Sequence, residues 1–237
     1  MDLFELKKEQ LKLAPKIVLR DSFTTVKTIA GMVCQQAGNK LLACVVVCEY
    51  PSLKFLEKSM YVLADPLPYH AGYTAYREMP ALLEAFNQLE QEPDVILVAG
   101  EGVLHPRKIG LASHIGLALN KATIGVQDSL SFGKVEKGKI IALHEILGFE
   151  VRTREHSNPI YVSPGHLISL GSVLQIIPGT IWYPHKMPEP IHLAHKIAKK
   201  KAREMFVPRA LDPGKPKELE NAVDIGTDMT AGEEAEA

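Results

Sequence analysis

Several shortages fix the class of this chain before any motif is read. Cysteine is scarce: Cys34, Cys44 and Cys48 are the only three in 237 residues, too few for a disulfide framework. Cys44 and Cys48 share the apolar run LLACVVVCEY, which reads as a strand. Four residues of strand hold them about 13 Å apart, beyond disulfide reach. No second ligand pair lies nearby, so they read as small buried hydrophobes rather than metal ligands. No apolar run approaches the roughly 18 residues of a membrane-spanning helix, so no membrane partner is expected. The opening stretch, MDLFELKKEQLKLAPKIVLR, lacks an apolar core followed by a small-residue cleavage site, which points to the cytoplasm rather than to secretion. Composition is equally unbiased. With 46% hydrophobic and 23% charged residues, collagen-like, coiled-coil and wholly disordered readings are excluded.

Net charge is also small, at −1, but it hides an asymmetry. Residues 218–237 carry seven acids and no Lys or Arg; without them residues 1–217 stand at +6. A modestly basic body suits a polyanionic partner. The acidic, Gly- and Ala-rich end, 208–237, reads as a solvated disordered tail following a single domain of residues 1–207.

Along that body the periodicity alternates. Residues 2–20 place Leu3, Leu6, Leu11 and Leu13 among Lys and Glu, an amphipathic helix that Pro15 should break. Segments 28–34, 40–49 and 53–62 read as strands separated by Gly38-Asn39 and Pro51-Ser52. Short connections favour an antiparallel meander. A helix is predicted at 80–89, a fully apolar strand at 94–99, a buried helix at 109–119 and a buried strand at 122–126. A hairpin over 134–154, a strand at 160–163 and helices near 169–177 and 190–203 follow. Fully apolar strands alternating with helices predict an α/β mixed sheet, a meander followed by αβ units, with helices on both faces.

Ligands of such sheets bind at loops leaving the carboxyl ends of strands. Four loops there carry suggestive residues: TIAGMVCQQ, PYHAGYTAYRE, AGEGVLHPRK and SPGHLIS. Singly each has a bland reading. Glu78 beside Arg77 suits a surface salt bridge, His105 before Pro106 a turn, and His166 after Pro164-Gly165 an ordinary loop. Together they gain weight: glycines let a backbone approach a phosphate or base, while Arg and His supply charge or proton transfer.

These same segments resemble the endonuclease V family, repair nucleases that act on deaminated bases. The resemblance runs from MDLFELKKEQ through PYHAGYTAYREMPALLEAF, DVILVAGEGVLHPRKIGLASHIGLALNKATIGV and SNPIYVSPGHLIS to KMPEPIHLAHKIA. It implies an RNase H-like fold and Mg²⁺- or Mn²⁺-dependent cleavage of a phosphodiester near hypoxanthine in DNA, or inosine in RNA. In such chemistry clustered carboxylates hold a cation beside the scissile phosphate.

By that resemblance Glu78 in YRE is the metal-binding glutamate and His166 in SPGHLIS the catalytic histidine. Tyr69 is the tyrosine that wedges into a duplex where a base is extruded. Gly72, Gly100 and Gly110 line the base pocket, with His105 beside it. The departures are as informative. Val33 in IAGMV and Ala99 in VAGEG stand where the family has metal-binding aspartates, Glu101 where it has histidine, and Asp128 where it has lysine. Opposite unit charges about 4 Å apart attract by about 4 kcal/mol gross at an effective dielectric near 20, and twice that for a divalent ion. Losing two such partners should cost orders of magnitude in metal occupancy, so cleavage is expected to be impaired or lost. Glu101 would lend a displaced carboxylate if strand geometry continued past Ala99, but its flanking glycines favour a solvent-facing turn. Asp128 is a second candidate, and Gln35, two residues beyond Val33, a weaker neutral one.

Three functions compete on these residues. One is a nuclease with a rearranged metal site, using Glu78, Glu101 and His166. The second binds inosine or distorted duplex without cutting. The third is a protein-interaction module using the acidic tail or the basic helix around residues 196–203, for which no motif speaks. A monomer is the expected state.

Overall fold

The structure, a computed structural model, describes residues 2–206. The acidic tail expected at 208–237 lies outside the described residues. Helix α1 (Leu3–Leu13) is capped by Asp2, whose carboxylate accepts the Phe4 amide at 2.9 Å. It gives way to a 3₁₀ turn at Ala14–Lys16, where Pro15 cannot continue an α-helical ladder.

The meander is β1 (Thr28–Ala37), β2 (Lys40–Glu49) and β3 (Phe55–Ala64), paired antiparallel. Gly38 turns the first hairpin at φ 60°, a conformation its missing Cβ makes inexpensive. Then come α2 (Thr74–Phe86), β4 (Val95–Ala99), α3 (Leu111–Leu119) and β5 (Ala122–Gln127). Strands β6 (Lys134–Glu136), β7 (Lys139–Ala142), β8 (Glu145–Val151) and β9 (Ile160–His166) precede α4 (Leu170–Ile176) and α5 (Glu189–Phe206). All nine strands join one sheet in the order β3-β2-β1-β4-β5-β9-β8-β7-β6, with β1, β4 and β5 mutually parallel.

Side-chain alternation on the central strands builds two cores. Ile29, Val33, Leu97 and Val126 face α4 and α5 with Val173, Ile191, Ala194 and Ala198. Ala30, Met32, Ile96 and Val98 face α2 and α3 with Leu82, Leu111 and Ile115. Helices therefore cover both faces, and β2, between two neighbours and two helical layers, is buried at every residue from Leu41 to Cys48. Cys44 and Cys48 are free and buried within it. The fit is close at Gly31, where a Cβ would come within 2.3 Å of the Pro190 carbonyl carbon. The start of α5 thus rests directly on β1. Among the described residues no helix is long and apolar enough to cross a membrane.

Three boundaries differ from the sequence reading. Helix α2 begins six residues before Pro80, which sits inside it. Proline reads locally as a first-turn residue, yet here the packing of Ala75, Ala81, Leu82 and Ala85 against the sheet outweighs one lost hydrogen bond. The segment 134–154 forms three strands rather than a two-stranded hairpin. Strand β9 runs on through Pro164, tolerated because pairing with β5 is irregular between Thr123 and Ile124.

A candidate nucleic-acid cavity at the strand ends

The carboxyl ends of β4 and β5 open on a cavity of about 550 Å³, large enough for a nucleotide-sized ligand. Register sets its floor. One rung beyond the Met32–Val98 pair, Val33 stands level with Ala99, and Ala99 pairs with Val126. All three side chains point toward α5 and join its apolar cluster; Val33 is 1% exposed. Where the family resemblance implies two carboxylates, the strand ends offer only hydrocarbon.

Carboxylates reach the cavity from its sides. Glu78 comes from α2, Glu101 from the loop after β4, and Asp128 from just past β5. Burial raises the Glu78 carboxyl from 4.5 to about 7; neighbouring Arg77 opposes this shift and Glu101 adds to it. Near neutrality Glu78 is therefore divided between a carboxylic acid and a carboxylate. The solvent-facing turn expected for Glu101 is not observed. The loop doubles back, with Glu101 O accepting the Ala112 amide at 2.8 Å and Gly102 O accepting the Gly110 amide at 2.8 Å. A Cβ on Gly110 would lie 2.4 Å from Glu101, so glycine is what permits this fold-back.

The opposite wall comes from α5 and its approach. Lys186, His192, His195 and Lys199 line it; the last three, at i, i+3 and i+7, share one helical face. The His192 ring stacks on His185 at 3.6 Å, and His185 Nδ1 meets the buried Glu189 carboxylate at 2.5 Å. Burial lowers the pKa of His195, and nearby Lys199 adds to this while Asp128 opposes it. Among the described residues His195 Nδ1 and Gln127 Oε1 are buried without a hydrogen-bond partner. Tyr69, 66% exposed, stands at the mouth.

Glu101 also faces a smaller recess shared with Gln10, Gly72, His105 and Gly110. Here one carbonyl gathers three donors. The Gly72 carbonyl receives Gln10 Nε2 at 3.1 Å, Arg107 Nη2 at 2.7 Å and His105 Nε2 at 3.1 Å. His105 Nδ1 accepts the Arg107 amide at 3.2 Å, which assigns the ring proton to Nε2. Burial, with Arg107 close by, lowers the His105 pKa to about 4, so the ring is neutral. Arg107 Nε donates to Gln10 Oε1, and its guanidinium lies over Tyr73 at 4.6 Å.

The structure thus brings together Tyr69, Glu78, Gly100 and Glu101 in the cavity, and Gly72, His105 and Gly110 in the recess. It places His166 elsewhere. His166 pairs with Thr123 at the opposite end of β5 from Asp128, is buried, and accepts the Val18 amide on Nδ1 at 3.2 Å. Three rungs of strand, about 10 Å, separate it from the Val126 level. Gln35 is likewise absent from the lining, its amide turned to the Gln36 carbonyl at 3.2 Å. Sequence reasoning missed His192, His195, Lys199 and Lys186. The i, i+3, i+7 spacing in IHLAHKIAKK was the available signal, read instead as a solvated basic helix.

A divalent ion fits this donor set poorly. Among the described residues no three His, Cys, Asp or Glu side chains converge to hold one. Mg²⁺ takes oxygen ligands almost exclusively, and the Val33 and Ala99 side chains supply none.

A meander, then parallel αβ units, with carboxylates around the strand ends, defines the class: an RNase H-like fold of the nuclease type. The sequence profile of endonuclease V matches residues 11–196. Endonuclease V of Rippkaea orientalis is 36% identical over 209 residues, covering 84% of this chain and 91% of its own. That of Trichormus variabilis is 37% identical over 201 residues, covering 80% and 90%. Among solved structures, Ciona intestinalis endonuclease V bound to a 24mer DNA containing an inosine followed by a ribo-adenosine aligns with a TM-score of 0.79 and 28% identity. That alignment covers 86% of this chain and 98% of that one. The Bacillus subtilis enzyme aligns at 0.78 with 29% identity, covering 86% and 94%. The chain belongs to the endonuclease V family.

Proposed function

We propose that this protein binds nucleic acid at deaminated bases, hypoxanthine in DNA or inosine in RNA, and that metal-dependent cleavage at its strand ends is impaired or lost. The observation that carries this reading is the apolar row Val33, Ala99, Val126 across the strand ends, of which Ala99 and Val126 line the cavity. A phosphodiester approaching that floor meets hydrocarbon, with Lys186, His192, His195 and Lys199 on one side. Fewer fixed anions repel a phosphate less, so binding does not require a bridging cation. Tyr69 at the mouth suits the role of filling a stack that an extruded base has left. The recess, filled by its own side chains around the three-fold bonded Gly72 carbonyl, fixes the wall of the cavity that such a base would meet. The full set of bonds around it favours one geometry, which is what selectivity among bases needs.

A second reading has one observation in its favour: Glu78, Glu101 and Asp128 all line the same cavity. A nuclease using these displaced acids would cut inosine-containing oligonucleotides with Mg²⁺ or Mn²⁺. The deciding experiment compares the protein with Glu78→Ala on such a substrate, alongside binding in EDTA. Salt-sensitive binding that prefers inosine, without cleavage above the Glu78→Ala background, supports the binding reading. Cleavage that Glu78→Ala abolishes establishes the nuclease, and equal affinity for plain and inosine-containing strands removes the base specificity.

A further inference from the structure

Beyond the cavity, two large aromatic side chains stand in solvent on a turn that feeds into its wall. Trp182, the only tryptophan in the chain, is 56% exposed, and the adjacent Tyr183 is 82% exposed. Aromatic residues normally bury most of their surface, so a neighbouring pair left in water is unusual. Among the described residues neither ring stacks on another aromatic side chain.

The turn carrying them is held from both sides. A 3₁₀ helix over Ile177–Thr180 precedes it, with the buried Thr180 hydroxyl donating to Ile177 O at 2.7 Å. The His185 amide donates to Trp182 O at 2.7 Å and closes the turn. From the loop after β8, Arg154 Nη1 donates to Pro184 O at 3.2 Å and the Thr153 hydroxyl to Lys186 O at 2.8 Å. The backbone beneath the pair is therefore fixed before anything binds, which lowers the ordering cost of binding.

Position and charge point to the occupant. Lys186 lines the cavity and lies only three residues beyond Tyr183, a span of about 10 Å. Arg152 and Arg154 are exposed on the adjoining loop, and Lys199 continues the cationic side within the cavity. Exposed aromatic rings bordered by cations, three residues along the chain from the lining of a nucleotide-sized cavity, form the pattern that holds unpaired polynucleotide: bases stack on rings while Lys and Arg track phosphates.

We infer that Trp182 and Tyr183 form a stacking platform for unpaired nucleotides flanking the one in the cavity. This rests on the nucleic-acid reading above and deepens it. The partner is single-stranded or locally opened polynucleotide, because bases already paired in a continuous duplex cannot turn to face these rings.

The test uses the full chain and its single tryptophan. Labelled inosine-containing single strands of about 12 nucleotides, within the site size usual for such grooves, are followed by anisotropy while Trp182 emission is recorded. Binding should quench Trp182, and Trp182→Ala with Tyr183→Ala should weaken affinity by about 10-fold or more. Trp182→Phe with Tyr183→Phe, which keeps two stackable rings, should stay within a few fold of the parent. A trinucleotide that reaches only the cavity should bind parent and alanine variant alike. Anisotropy showing tight binding with unchanged Trp182 emission and no loss in the alanine variant would overturn the platform while leaving the proposed function intact. Absence of any oligonucleotide binding would instead remove both. Blue-shifted Trp182 emission with phosphatidylglycerol vesicles, and none with oligonucleotide, would reassign the pair to a lipid surface and also overturn the inference.

Discussion

The recess around Gly72 and the cavity beside it share Glu101, yet they are built on opposite terms. In the recess Gln10, His105 and Arg107 all converge on one carbonyl, and His105 has a partner on each ring nitrogen. In the cavity the floor is Ala99 and Val126, with Val33 buried beside them, and among the described residues His195 Nδ1 and Gln127 Oε1 are buried without partners. The first region has the finished hydrogen bonding of a recognition surface. The second holds polar groups left without partners among the described residues.

The largest effect should come from making the cavity floor resemble its relatives. Val33→Asp with Ala99→Asp places two carboxylates at buried strand ends, where unpaired charge is costly. The double variant should melt well below the parent in EDTA and recover with Mn²⁺, by about 2.7 kcal/mol at 100 times the dissociation constant. The parent should show no such recovery. Differential scanning calorimetry with and without Mn²⁺ reads both, and a parent that is stabilised equally would contradict the contrast between the two regions.

Next in size is the seat of α5. Gly31→Ala would put a Cβ 2.3 Å from Pro190 and 2.5 Å from the Ile191 amide nitrogen. Overpacking of that kind costs about 1–3 kcal/mol or more, and it displaces the helix carrying His192, His195 and Lys199. Oligonucleotide affinity and melting temperature should fall together. Gly171→Ala makes the control, since its nearest neighbour would be Ser169 Oγ at 3.8 Å. It should be neutral or slightly stabilising, because alanine is the better helix former by up to about 1 kcal/mol.

Arg107→Ala attacks the recess alone. It removes the donor to Gly72 O and the bond to Gln10, but His105 and Gln10 still serve the carbonyl. A loss of about 1 kcal/mol in preference for inosine over plain strands is expected, with affinity for plain strands little changed. Competition binding at fixed salt measures it.

Smallest near neutrality is the pH response, which separates the regions by sign. His105 and His114 have folded pKa values lowered to about 4 from 6.5, mainly by burial. The unfolded chain takes up their protons first, so stability falls as pH drops from 6.5 toward 4. Glu78 is raised from 4.5 to about 7, so its contribution has the opposite sign: stability falls as pH rises through that window. Glu78→Gln should remove this opposing slope, so that stability rises more steeply between pH 4.5 and 6.5, as read by urea unfolding from pH 4 to pH 9.

Much of the fold was legible because the central strands are apolar on both faces. LLACVVVCE and VILVA admit little but buried strands between helical layers, and Gly38-Asn39 marked its turn. Helix α2 was truncated because Pro80 is a stronger local signal than the packing of Ala75 and Tyr76 that overrides it. The site was legible where residues follow a strand end, as Glu78, Glu101 and Asp128 do in space and the loops do in sequence. The place of His166 was not legible, because Pro164-Gly165 suggests a loop, whereas strand β9 carries it to the far end of β5. The cationic wall was hidden for a tertiary reason. Which face of α5 meets the cavity is set by the contact of Pro190 with Gly31, and nothing local to IHLAHKIAKK reveals that contact.

The most direct test is crystallographic: the protein bound to an inosine-containing oligonucleotide, soaked in Mn²⁺, with anomalous scattering recorded at the manganese edge. The expected result is an intact strand, the base seated toward Gly72 and His105, and no manganese peak between the ends of β1 and β4. A well-occupied manganese held by Glu78 and Glu101 at those ends, beside a cut phosphodiester, would contradict it.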